Sequence, residues 1–303
     1  MRVAITGSGG LIGSALADSL TTSGDSVVRL VRRPPAGDGE VRWDPTAPGG
    51  GLPAGALSGV DAVVHLAGAP IAAGRWSAAR KKELHDSRAV GTAAIVAAIQ
   101  AAAKPPPVLI AASAIGWYGD TGGRAVDESA PAGAGFLSTV VRDWEAATQP
   151  VAQAGIRVVN MRSGVVLSRS GGMLPRMLGP FRLGLGARFG SGTQYVSWIA
   201  SADHLRAVRF LLEHDELSGP VNLTAPEPVT NADLTRALAT ALHRPALFAV
   251  PAAALRLALG ELSTELLTSC RALPVRLEQA GFEFRFPAIR PALDAAIAGR
   301  SAS

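Results

Sequence analysis

The chain has 303 residues, enough to bury a sizeable core and a length that suggests about two domains. Hydrophobic residues make up 48% and charged residues 17%, a balance that excludes a disordered chain. Basic residues exceed acidic ones by 29 to 24, but they are scattered and form no long basic run, which argues against nucleic acid as a partner.

The first half alternates short apolar runs with helical patterns. Strands are predicted over Arg2–Thr6, Ser26–Val31, Ala62–Leu66, Val108–Ala112 and Arg157–Arg162. Helices are predicted over Gly13–Ser23, Ala78–Ala102 and Gly135–Ala154. Such alternation implies right-handed crossovers and a doubly wound parallel sheet. Runs such as Val108-Leu109-Ile110 are apolar without alternation, as strands covered on both faces should be. The second half differs. Residues 171–196 are rich in glycine, with few regular signals. Helices are expected over Ser201–His214 and Asn231–Leu242, the latter capped by Thr230 or Asn231, with a short strand at Val221–Leu223 between them. The remainder reads as mostly helical from about 250 to 298, with a break at Gly281–Phe286. The expected organisation is an α/β Rossmann-type domain over 1–168, with a returning segment near 195–225. A smaller, mainly helical lobe over 169–303 follows.

No secretory or membrane segment is visible, because Val3-Ala4-Ile5 runs straight into glycines and no apolar run reaches about 18 residues. The single cysteine, Cys270, cannot form an internal disulfide. A cytoplasmic protein is therefore expected. Five scattered histidines and one cysteine give no metal-ligand spacing, and no phosphate-loop lysine motif occurs.

The strongest motif is Thr6-Gly7-Ser8-Gly9-Gly10-Leu11-Ile12-Gly13, between a strand and a helix. Gly7 permits the turn, Gly10 lets the backbone approach a diphosphate, and Gly13 allows close helix–strand packing. The backbone of Leu11, Ile12 and Gly13 then offers free N–H groups and the positive helix end to the anion. The next strand ends Leu30-Val31-Arg32-Arg33, with no carboxylate for a ribose 2′-hydroxyl. Arg32 and Arg33 suit the 2′-phosphate of NADP(H), Arg32 the better of the two. The turn Leu66-Ala67-Gly68 should lie at the same sheet edge. His65, just before it, reads as a packed core histidine.

Taken together, these residues resemble the extended short-chain dehydrogenase/reductase superfamily. The resemblance is closer still to an epimerase-like branch, some of whose members are called cell-division inhibitors. Its pieces are Thr6–Gly13, Leu66-Ala67-Gly68-Ala69-Pro70-Ile71 with Arg75-Trp76, Ser113–Asp120, Trp144-Glu145, Arg162–Leu167, Phe181–Gly186, and Gly190–Tyr195 with Trp198-Ile199. Arg271–Phe282 resembles the branch's C-terminal domain of unknown function. The superfamily's chemistry uses a tyrosine with a lysine four residues later, plus a serine that binds the substrate oxygen. Here the tyrosine position falls at Leu137 and the lysine position at Val141, and neither side chain carries a proton. The superfamily's helix asparagine falls at Arg88, which either holds an anion or braces a loop. Ser113 keeps its place.

Two functional readings follow. In the first, a rearranged enzyme uses Ser113 for the substrate oxygen, Tyr118 as proton donor or acceptor, and Arg142 in place of the lysine's charge. Tyr118 also reads as a loop anchor. In the second, the protein holds NADPH as a sensor without turnover. In either case Arg182, Gln194, Tyr195 and Trp198 are the expected pocket for a small, anionic substrate. Asp203 reads as complementing a helix N-terminus.

Overall fold

The computed structural model describes residues 1–299; residues 300–303, the tail of the expected second lobe, lie outside the described residues. Seven strands form the central sheet. In chain order they are β1 (Arg2–Thr6), β2 (Ser26–Val31), β3 (Glu40–Arg42), β4 (Ala62–His65), β5 (Val108–Ala114), β6 (Arg157–Ser163) and β7 (Gly219–Leu223). Every pairing is parallel, and the order across the sheet is β7-β6-β5-β4-β1-β2-β3. The direction of winding reverses between β1 and β4, so a crevice opens beyond their carboxyl ends.

Side-chain alternation along the strands builds two cores. On one face Val3 and Ile5 of β1 meet Leu16 and Leu20 of α1 (Leu11–Thr22). On the other, Ala4, Val63 and Leu109 meet Ile95 and Ile99 of α2 (Ala78–Gln100). Both faces are dry, which is why these strands read as continuous apolar runs.

Three elements differ from expectation. The helix predicted over Gly135–Ala154 splits into α3 (Phe136–Ala146) and α4 (Gln149–Gln153), with Pro150 in the first turn of the second. Proline lacks the N–H that a continuous helix would need there. β3 was not predicted, because three residues at a sheet edge carry no readable period. In the glycine-rich stretch, α5 (Leu174–Arg182) forms despite two prolines. It buries Leu174, Met177, Leu178 and Phe181, a spacing of three, four and seven that marks one helix face.

The second half wraps back onto the first. Val165–Leu167 pairs with Trp198–Ala200 ahead of α6 (Ser201–Glu213), and Ala187–Phe189 pairs with Phe248–Val250 beyond α7 (Asn231–Ala241). Thr230 caps α7, its Oγ1 accepting the Asp233 N–H at 3.1 Å. Among the described residues the C-terminal stretch carries four helices: Ala252–Leu259, Leu262–Leu267, Val275–Gln279 and Ile289–Ala298. Arg271–Ala272 pairs with Ala125–Val126, and the buried Asp203 accepts the N–H groups of Arg285 (2.9 Å) and Phe286 (2.8 Å). Asp203 therefore pins the chain end, beyond any effect on its own helix. No helix among the described residues is long and apolar enough to cross a membrane.

Candidate functional site

The glycine turn sits at the crevice. Gly7 has φ +66°, and a Cβ there would lie 2.8 Å from the carbonyl of Leu66. A Cβ on Gly13 would lie 2.3 Å from the Gly7 oxygen. The backbone is thus folded as tightly as glycine allows. The first intrahelical bond of α1 runs from Ser14 N–H to Gly10 O (2.9 Å), so the N–H groups of Leu11, Ile12 and Gly13 precede it. Gly10 supplies no capping side chain, and the first turn holds no acidic residue. A cradle without side chains, ending in open N–H donors, fits a diphosphate.

Beside it, Thr6 pairs with Leu30, so Arg32 lies just past the edge next to the turn. The two arginines then part ways. Arg33 is bound to Glu40 at 2.5 Å and donates to the Pro34 carbonyl. Arg32 is exposed, and among the described residues it has no ion pair or hydrogen-bond partner for its side chain. Arg29, not singled out by the sequence reading, is paired with Asp18 at 3.2 Å and reaches toward the Ser8 carbonyl at 3.4 Å.

The loop after β4 is held from below. Thr6 Oγ1 accepts the N–H groups of Leu66 (3.0 Å) and Ala67 (3.2 Å), so those donors are not free for a ligand. Leu66 and Ala67, expected at the cofactor edge, therefore stand against the glycine turn with their N–H groups committed to Thr6. With its acceptor role filled, the Thr6 hydroxyl gives its proton to His65 Nδ1 (2.8 Å). His65 stands edge-on to Trp43, and burial pushes its pKa down to about 4. It is a core histidine. Arg88 is buried, donates to the carbonyls of Leu84 and Ala69 (3.0 Å each), and lies against Gly68. Burial lowers its pKa to about 10. Of the two roles open to it, the geometry matches the loop brace.

Behind the crevice lies a closed polar network. Ser113, near the end of β5, donates to Glu145 Oε1 at 2.6 Å. Arg162 grips the same carboxylate with Nε on Oε1 and Nη2 on Oε2, both at 2.8 Å. Its Nη1 donates to the Tyr118 hydroxyl (3.1 Å), which donates in turn to Asn222 Oδ1 (2.7 Å). Glu128 Oε1 accepts the Asn222 N–H at 2.9 Å, and burial holds the Glu128 carboxyl above its usual range. Tyr118 is buried and pushed up to about 12 by that burial. With its proton committed and its pKa raised, Tyr118 anchors the loop and does not match the proton donor expected from sequence. Arg142 does not match its expected role either. It is exposed and reaches only Thr139 (3.5 Å), because residue 142 stands about 100° around the helix from Val141. Leu137 and Val141 themselves lie against Gly116, so an apolar wall stands where the superfamily has its tyrosine and lysine.

The expected substrate pocket is only partly assembled. Trp198 is fully buried and donates to the Glu227 carbonyl (3.0 Å); Gln194 is buried and donates to Phe189 and Leu266 carbonyls (3.1 Å each). Both are packing residues, which corrects their assignment to a pocket. Tyr195 is half-buried under the Arg271 guanidinium, and Arg182 is exposed. Sequence reasoning missed Glu145, Arg162, Asn222 and Glu128. One signal was available: Arg162 is a charge inside a buried strand, and such a charge demands a partner. Among the described residues no group of three or more His, Cys, Asp or Glu is placed to hold a metal ion.

A doubly wound sheet with an open glycine turn at its switch point defines a dinucleotide-binding α/β protein. Residues 3–223 match the NAD dependent epimerase/dehydratase family, and the chain belongs to that family. Residues 250–296 match a domain of unknown function, DUF1731. The chain is 50% identical over 292 residues to the epimerase family protein Mb2239 of Mycobacterium bovis, covering 96% of each. It is also similar to the human epimerase family protein SDR39U1, whose crystal structure holds NADPH. That similarity has a TM-score of 0.89 and 34% identity over 98% of this chain and 99% of that one. A UDP-N-acetylglucosamine 4-epimerase from Bacillus cereus shares the fold, with a TM-score of 0.74 at 17% identity over 99% of each chain.

Proposed function

We propose that the chain binds NADPH on the glycine turn, with Arg32 on the 2′-phosphate, and acts on a small hydroxyl- or carbonyl-bearing substrate through Ser113 and Glu145. The observation that carries the chemical part is the 2.6 Å hydrogen bond from Ser113 to Glu145. Every hydrogen bond at the Glu145 carboxylate is one it accepts, so it stands as a proton acceptor. A substrate hydroxyl that gives its proton to Ser113 Oγ lets Ser113 pass its own proton to Glu145. Arg162 fixes the carboxylate in place for that transfer, and the wall of Leu137 and Val141 excludes water. The cofactor, when bound, supplies the site that accepts or gives the hydride. The human relative's bound NADPH supports the cofactor assignment.

Nicotinamide fluorescence titration tests the first part. Arg32→Ala should weaken NADPH roughly 10–100-fold, the value of one or two charge-assisted hydrogen bonds, and leave NADH unchanged. Arg33→Ala, already committed to Glu40, should leave both unchanged. The chemical part is tested by screening alcohols with NADP+. Turnover that survives both Ser113→Ala and Glu145→Gln refutes it.

A second reading, a NADPH-holding sensor, is favoured by one observation: apolar Leu137 and Val141 replace the usual acid–base pair. It predicts micromolar NADPH binding and cofactor-dependent stabilisation with no turnover of any alcohol or carbonyl compound.

A further inference from the structure

A separate cavity shares no lining residue with the cofactor crevice. The cavity, of about 730 Å³, opens between α7 and the chain that follows it, and Arg188, Arg236, His243 and Arg244 line it. None of its lining residues belongs to the glycine turn, the arginines after β2 or the Ser113 network. Among the described residues no carboxylate lines it.

The arginines are held but not used up. Arg188 donates only through Nε, to Ser191 O at 3.3 Å, and Arg244 only through Nε, to Arg182 O at 3.1 Å. Arg236 donates through Nη1 to Asp233 at 3.1 Å. Both terminal nitrogens of Arg188 and Arg244, and Nη2 of Arg236, have no partner among the described residues. Asp233 neutralises Arg236, but Arg188 and Arg244 have no ion-pair partner among the described residues, and an anion in the cavity would balance their charge.

Two features set this apart from an ordinary arginine-rich surface. Thr235 lines the cavity, is 4% exposed, and its Oγ1 has no hydrogen-bond partner. Thr240, one turn and a half along, satisfies its hydroxyl on the Arg236 carbonyl at 2.8 Å in the usual way. A buried hydroxyl without a partner calls for one. The second feature is backbone strain. His243 has φ +52°. Its N–H reaches Thr240 O (3.1 Å) and the next N–H reaches Ala239 O (3.0 Å), the double bond of a helix end that ordinarily places glycine there. Histidine at that position is unfavourable for the fold, yet it puts an imidazole on the cavity wall.

The rim is apolar: Leu247 is 85% exposed and Phe248 is 54% exposed. We infer that this cavity binds a phosphomonoester carrying an apolar group, with the phosphate among Arg188, Arg236, Arg244 and Thr235 and the apolar group on Leu247 and Phe248. The inference is independent of the function proposed above.

The test uses the full chain saturated with NADPH, titrated calorimetrically with inorganic phosphate, phenyl phosphate and phenol. Phenyl phosphate should bind saturably and about tenfold more tightly than phosphate, and phenol should not bind. Arg244→Ala should weaken phenyl phosphate about tenfold or more, and Thr235→Val about fivefold. His243→Gly should weaken it too while raising the melting temperature, which separates a ligand role from a folding role. A phospholipid headgroup would share this chemistry, so the same variants are sedimented with phosphatidic acid vesicles. Vesicle capture without saturable phenyl phosphate binding overturns the soluble-ligand assignment. Absence of binding to phosphate and phenyl phosphate overturns the site, as does binding lost in Arg32→Ala but kept in Arg244→Ala.

Discussion

Truncating Arg162 to alanine should be among the most damaging single changes in this protein. Its side chain is 3% exposed and that of Glu145 is 9% exposed, so neither charge can turn to water. Arg162→Ala removes two 2.8 Å bonds to Glu145, a 3.1 Å bond to Tyr118 and a stacking contact 4.0 Å from the Trp117 ring. The uncompensated buried carboxylate dominates, and removing one partner of such a pair costs about 3–5 kcal/mol. With a urea m-value of about 3 kcal/mol/M, the unfolding midpoint should fall by roughly 1–2 M. The measurement is urea unfolding followed by circular dichroism. The double variant Arg162→Met with Glu145→Leu removes both charges and keeps most of the volume. It should cost only about 1–3 kcal/mol, chiefly for the orphaned Ser113 hydroxyl. If Arg162→Ala shifts the midpoint by less than about a third of a molar, or the double variant costs the sum of the singles, the desolvation argument is wrong.

Other outcomes follow from the same reasoning. His65 and His204 are both held down to about 4 by burial, from 6.5, so the unfolded chain binds more protons between those values. Their contribution to stability is full above about pH 6.5 and lost as pH falls toward 4, and His204→Gln should flatten that fall in a melting series. An unchanged slope would refute it. Glu265 is shifted the other way, pushed up to about 7 by burial, so its contribution is present at low pH and lost as pH rises through 7. Glu265→Gln should therefore raise the melting temperature at pH 8 more than at pH 5. In the glycine turn, Gly13→Ala meets backbone at 2.3 Å and should cost about 1–3 kcal/mol and at least tenfold in NADPH affinity. Gly9→Ala, with nothing within 4 Å, should leave the melting temperature unchanged and serves as its control.

The fold and the cofactor edge were legible because they depend on local pattern. Apolar runs at strand spacing define β1, β4 and β5, and the glycine spacing needs only its place between a strand and a helix. Arg32 and Arg33 are adjacent in sequence, yet only the position of Glu40 on the unpredicted β3 separates a free cation from a committed one. The buried polar network was harder. Tyr118, Arg162 and Asn222 stand up to 104 residues apart, and no local period announces that their side chains close one network. Trp198 and Gln194 look like pocket residues in sequence because aromatic and amide side chains among glycines suit a ligand loop. Their burial comes from the Leu262–Leu267 helix and the Glu227 turn, which sequence proximity does not reveal.

The attachment of the C-terminal stretch bears on how the protein is made. Asp203, Asn222 and Ser197 are buried polar groups whose partners include Arg285, Phe286, Leu273, Cys270 and Ala272. During synthesis the sheet through β7 emerges from the ribosome before any of those partners exists. Until they arrive, the nascent dinucleotide fold carries unmet hydrogen-bonding groups in its interior, and its final locking waits for roughly the last tenth of translation. A premature stop after β7 would leave a chain that has every strand of its sheet and still cannot complete its interior.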